Sequence, residues 1–273
     1  NENIDNLSFA QKQRLSFIDF SLMFKGSVSR KELTAKFPSF FSGQYVYSVL
    51  EGLDVQPRLE WRKSIWGGEG KTTIGFDFSD TDYRSEKSAT QASKNQPIHD
   101  VRIDQQRQAV YFQSQQKLTA ALNSYFGYRH AAFEQDATDN FNPAAPGVSI
   151  FDSGAAPLKQ DFDEPSYEAG LDVDVNDKVN VFLTYARSVR FGTVDEYFEL
   201  DPSFAQTFSP LDPQITDVFN LGSTLNFSNT TSLKVTLFTS ESENEIRYDD
   251  LDYIRVGEAM HSDLLFNRKT LKG

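Results

Sequence analysis

Alternation with a period of two, sustained over unusually long runs, constrains this chain more than any other feature. Ile74, Phe76 and Phe78 are separated by Gly75 and Asp77. Tyr167, Ala169, Leu171, Val173 and Val175 alternate with Glu168, Gly170, Asp172 and Asp174. Val179, Val181, Leu183 and Tyr185 continue the habit, then Phe219, Leu221, Leu225 and Phe227, then Leu233, Val235 and Leu237. Successive side chains of a strand point to opposite faces, so such runs predict strands with one apolar and one polar face. Strands are expected near 53–64, 71–83, 105–116, 118–134, 165–176, 178–190, 214–228 and 231–248. Several exceed the roughly 5–6 residues usual in soluble sheets and suit the about 9–11 tilted residues that cross a bilayer.

The connections alternate between short and long. Short turns fall at Ile65–Gly70, Gln116–Lys117, Asn176–Asp177 and Ser228–Thr230, and long polar loops at 84–104, 135–164 and 191–213. In an antiparallel meander every short turn then lies at one end and every long loop at the other, as in outer-membrane barrels. Composition agrees. The chain of 273 residues has no cysteine, a net charge of −12 and 24 Phe, which fits a barrel whose apolar residues are diluted by alternation. The acidic surplus argues against a protein held to phosphates, so DNA is not an expected partner. The expected fold is therefore mainly β, an antiparallel up-and-down meander over residues 44–250 resembling part of an outer-membrane β-barrel.

The amino end gives a different expectation. Leu15, Ile18 and Leu22 recur at helical spacing, and Ser29 with Glu32 forms a capping box ahead of Leu33 and Phe37. Pro38 would stop that helix. Residues 1–43 are thus predicted as a short helical segment with a turn at Gly26, and residues 251–273 as an unassigned tail.

Two stretches go beyond pattern. Tyr185-Ala186-Arg187-Ser188-Val189-Arg190-Phe191-Gly192-Thr193-Val194-Asp195-Glu196 resembles the "YARSFRxPTxDE" segment of TonB-dependent outer-membrane receptors. Leu211-Asp212-Pro213-Gln214-Ile215-Thr216-Asp217-Val218-Phe219-Asn220-Leu221-Gly222 resembles their "LxPExSxxxExG" segment. Gly192 stands where the family usually has Pro, and Gln214 and Asn220 where it has Glu. The resemblance covers about residues 53–248. It implies a receptor in the cell outer membrane that binds a ferric siderophore or similar scarce ligand. Uptake would be driven through the TonB energy-coupling complex, in contact with outer-membrane lipid, without a cofactor and without covalent catalysis. Such barrels have about 22 strands, so eight or nine are expected to form a piece of one, with unpaired edges. Residues 7–37, from Leu7-Ser8-Phe9-Ala10 to Phe37, resemble instead the opening of the winged helix-turn-helix of WYL-type transcription regulators. That implies either a DNA-binding regulator or a chimeric chain, although the match ends before a groove-reading helix.

Enzyme signals are weak. There is no thiol nucleophile, and His99, His130 and His261 lack metal-ligand spacing. Asp172 to Asp177 lacks the glycine and bidentate Glu of a calcium loop. Trp66 to Lys71 has the glycines of a phosphate loop without its Gly-Lys-Ser/Thr order. The ligand-binding candidates are therefore loop residues on a rigid scaffold: Asp195, Glu196, Tyr197, Phe198 and Phe204, an aromatic and acidic rim.

Overall fold

The computed structural model describes the chain except residues 1, 16–18, 38–43, 65–68, 195, 201–205, 229, 251–262, 269–270 and 273. Ten long strands of 12 to 19 residues form one antiparallel sheet. In chain order these are β1 (Glu2–Leu15), β2 (Phe20–Phe37), β3 (Gln44–Trp61), β4 (Gly70–Ser88), β5 (His99–Lys117), β6 (Leu122–Asp139), β7 (Leu158–Asn176) and β8 (Val179–Arg190). A small ribbon of β9 (Phe198–Leu200) and β10 (Gln206–Phe208) follows, and β11 (Gln214–Ser228) and β12 (Thr231–Glu243) then rejoin the sheet. A second ribbon pairs β13 (Glu245–Asp250) with β14 (Asp263–Arg268), and the two-residue β15 (Leu271–Lys272) adds to the β12 edge. Each long strand pairs with its sequence neighbour in the sheet, so the meander has no crossover.

Seven of the eight expected strands are present as single strands, most extending further toward the long loops, and the one expected over 231–248 divides at Asn244 into β12 and β13 of the separate ribbon. The predicted helical amino segment is not. Residues 2–15 and 20–37 are strands β1 and β2, and β2 pairs with β3 over its whole length. The helical spacing was carried by few positions, whereas Phe20, Leu22, Phe24 and Val28 also alternate with period two. Glu32 forms no capping box: its carboxylate accepts from Arg30 Nε at 3.0 Å and Nη2 at 2.7 Å, two residues away on one face of the strand. Gly26 sits mid-strand opposite Phe9 and Val55. The physical reason for the override is the edge of β3. Its N–H and C=O groups need partners along the strand, which a neighbouring strand supplies and a helix, whose backbone groups bond internally, does not. The helix-turn-helix reading falls with it, since its helices are strands and the groove-reading helix it requires near 40–55 falls on β3 from Gln44 onward.

The sheet has two unlike faces. On the outward face near the short turns, Ile74, Val110, Phe126, Leu171, Leu183, Phe219 and Leu237 are all exposed, giving a contiguous apolar band across seven strands. Tyr128 and Tyr167 pair at its upper border, where Tyr167 and Tyr185 have ring centroids 5.9 Å apart. Beyond this border the same face turns acidic, through Asp80, Asp82, Asp104, Glu134, Asp136 and Asp161. On the inward face, Gly170 lies under the Tyr125 ring, which a Cβ there would strike. Tyr125 therefore points inward and is not part of the outer aromatic belt. The core also lies on the inward face, at the long-loop end.

Candidate functional site

The connection between β8 and β11 folds back onto the inward face instead of projecting outward. Phe191 stacks on Phe133 of β6, with centroids 4.9 Å apart and planes within 5°. Arg107 of β5 lies over the other part of this stack, 5.5 Å from the Phe133 centroid, and its Nη2 donates to the Gly192 carbonyl at 2.8 Å. A Cβ at Gly192 would meet the Tyr197 ring at 2.6 Å, so the Gly in place of Pro lets this ring close down on the chain.

Two of the predicted rim residues do the fastening. Glu196 closes a turn: its carboxylate accepts from the Thr193 amide at 2.8 Å and the Thr193 hydroxyl at 2.9 Å, and pairs with Arg190. Tyr197 is fully buried beside Phe133, Leu211 and Ile246. Burial pushes its hydroxyl up to about 12, against the opposing pull of the Arg107 charge. Phe198 lies in β9, with its side chain outside the described residues; Asp195 and Phe204 are outside them altogether. The geometry thus brings Glu196 and Tyr197 together as fasteners facing inward.

A second cluster seals the neighbouring loop. Val101, Ile103 and Ala137 on the sheet meet Ala155, Val194 and Phe208 from the loops. His99 Nδ1 lies 2.9 Å from Asp139 Oδ2, which also accepts from the Ala155 amide at 3.1 Å, and Phe141 stacks on the His99 ring. The segment between β6 and β7 is thereby tied at both ends. Its tip carries what the sequence reading missed: Ile150 is 94% exposed and Phe151 61%. Two apolar residues inside a polar loop break no period, so only their solvent exposure singles them out. Among the described residues no three His, Asp or Glu converge as a metal site.

The two motif segments are in physical contact. Tyr185 Oη donates to Asp217 Oδ1 at 2.7 Å, and Arg187 Nη1 donates to Asp217 Oδ2 at 3.1 Å. Residues 3–267 match the family model described as TonB dependent receptor-like, beta-barrel. The chain belongs to the TonB-dependent receptor family. Its members are receptors and transporters of the outer membrane. Solved structures share the fold. The copper transporter OprC matches at TM-score 0.73 and 11% identity, over 97% of this chain and 42% of that one. The alcaligin outer-membrane receptor FauA of Bordetella pertussis matches at TM-score 0.66 and 14% identity, over 100% of this chain and 42% of that one. The ferric yersiniabactin uptake receptor FyuA of Yersinia pestis matches at 0.66 and 11%, over 90% and 36% respectively. The chain thus spans well under half the length of these structures. No curated protein matches it in sequence.

Proposed function

We propose that this chain forms part of the barrel of an outer-membrane receptor that takes up a ferric siderophore or similar scarce chelate, with energy from the TonB complex. The observation that carries the reading is the inward fold of the described residues of the 191–213 connection. Its Tyr197 and Leu211 pack against Phe133 of β6, with Arg107 of β5 over the Phe133 ring, as an ordered wall at the long-loop end of the sheet. Rigid sheet below and loops above is the arrangement in which binding residues are commonly carried. FyuA is a ferric yersiniabactin uptake receptor and PiuA of Acinetobacter baumannii, of similar fold, is a siderophore receptor, and this supports a siderophore-class ligand. The rim proposed from sequence, Asp195, Glu196, Tyr197, Phe198 and Phe204, then shapes the mouth through Glu196 and Tyr197.

Uptake of radiolabelled iron as a panel of ferric siderophores tests this, in cells with and without a working TonB complex. Accumulation that needs both the protein and the complex is expected. Copper accumulation without iron accumulation would place the ligand with that of OprC and refute the siderophore assignment.

A further inference from the structure

The outward apolar band is not smooth. A depression of about 500 Å³ opens in it across strands β5 to β8 and β11, within the roughly 300–1,000 Å³ range of small-molecule sites. Register explains it. Ser114 pairs with Phe126, Gln116 with Ser124, Phe126 with Ala169, and Ala169 with Tyr185, so three small side chains fall together among large ones. Phe112, Leu171, Leu183 and Phe219 form the apolar walls. Apart from the Tyr185 hydroxyl, which is turned to Asp217, the polar lining is gathered at the short-turn end. There Gln116 Nε2 donates to Ser114 Oγ at 2.9 Å and to Thr72 Oγ1 at 3.3 Å, and the Thr72 and Ser114 hydroxyls are 3.2 Å apart.

We propose that this depression holds one acyl chain of a glycerophospholipid of the periplasmic leaflet, with the glycerol end of the lipid against Ser114, Ser124 and Gln116. Three features select this occupant. The groove is continuous with the exposed apolar band that meets the bilayer, so hydrocarbon is the material in contact with it. Left empty, its walls would forfeit dispersion contacts that a flexible chain can supply. Its single polar end lies toward the short turns, the periplasmic side of such barrels, which matches a lipid with one polar end in that leaflet. The inference requires only that the band faces lipid. It is independent of what is imported, so labelling and uptake assays fail separately.

The test is photolabelling of the protein extracted from outer membranes and reconstituted in phosphatidylethanolamine nanodiscs. A small share of the lipid carries a diazirine on the acyl chain. Peptides containing Phe126, Ala169 and Leu183 should be labelled about tenfold more than the peptide with Val235 and Leu237 on the same band, a ratio that corresponds to roughly 1.4 kcal/mol of preference. Ala169→Trp fills the groove and should abolish the excess, while Val235→Trp should leave it intact. Heat-modifiable migration on a gel reports insertion of each variant. If Ala169→Trp does not insert, Ala169→Leu is read the same way. Even labelling along the band, an excess that survives filling, or a co-purified protein that shields these peptides would overturn the proposal.

Discussion

Strands β5 and β6 carry two phases of hydrophobic alternation, and the difference between their halves locates the membrane along them. Near the short turn, Val110 on β5 and Phe126 and Tyr128 on β6 hold even positions, face outward and are exposed. Toward the long loops the apolar residues move to odd positions: Val101 and Ile103 on β5, Phe133 and Ala137 on β6, all buried on the inward face. Because side chains alternate strictly, a switch of parity within one unbroken strand means that the apolar environment has changed sides. Outside, lipid surrounds the lower half; inside, folded loops cover the upper half. Strands this long need both, since 19 residues at about 3.3 Å each reach roughly 60 Å, twice the hydrocarbon thickness of about 30 Å.

Four experiments test this division. The largest effect is expected for Phe133→Ala, which removes a ring stacked on Phe162 and Phe191 and touched by Arg107. It should cost about 3–5 kcal/mol in the upper half, measured by denaturant unfolding of the protein in vesicles. A loss under about 1 kcal/mol would mean that the loops do not form a true core. Next comes Leu183→Arg in the outward band, expected to cost about 2–4 kcal/mol because the charge enters hydrocarbon. The same charge placed at Asp161 on the same face should change stability by no more than about 0.5 kcal/mol. Equal costs at the two sites would erase the boundary drawn at Tyr128 and Tyr167.

Glu196→Ala is expected to cost about 1–3 kcal/mol, because Arg190 and the Thr193 amide lose their shared acceptor. The reading is local: faster hydrogen exchange across 191–213, with the sheet unchanged. Smallest is a pH effect confined to alkaline solution. The Tyr197 hydroxyl is raised in the folded protein to about 12, so its contribution is fully present below its unfolded value near 10 and is lost as pH rises through about 12. Tyr197→Phe should remove that late-ionising tyrosine from a spectrophotometric titration, and leave the fold intact below pH 10.

Legibility in the sequence followed the lipid. Where the outward face is apolar, as in Leu171, Leu183 and Leu221, alternation was plain and the strand positions were right. It failed at Leu15 and Leu22 (Ile18 lies outside the described residues), where basic and polar neighbours thinned the alternation until helical spacing could compete, and where pairing with β2 and β3 decided the outcome. The candidate site was legible as a motif but not as a geometry. Glu196 and Tyr197 stood out as acidic and aromatic residues of a long loop, yet nothing in their spacing showed that one closes a turn on Thr193 and the other is buried against Phe133. The acidic residues of the stretch 135–164, expected as a long loop, divide as well: Asp136 and Asp161 lie outward on strands, whereas the Asp139 side chain is buried and bonded to His99.

By itself the sequence determined that the chain alternates, that its turns are short at one end and long at the other, and that residues 185–222 carry a receptor signature. Those properties are local, since period and turn chemistry are written in neighbouring residues. Only the tertiary structure decided that residues 2–15 and 20–37 are strands, that the described residues of the 191–213 connection fold inward, and that small residues from three strands meet in a lipid-facing groove. Each of these depends on which residues from distant parts of the chain share a row, and register between strands is settled by pairing across the whole sheet.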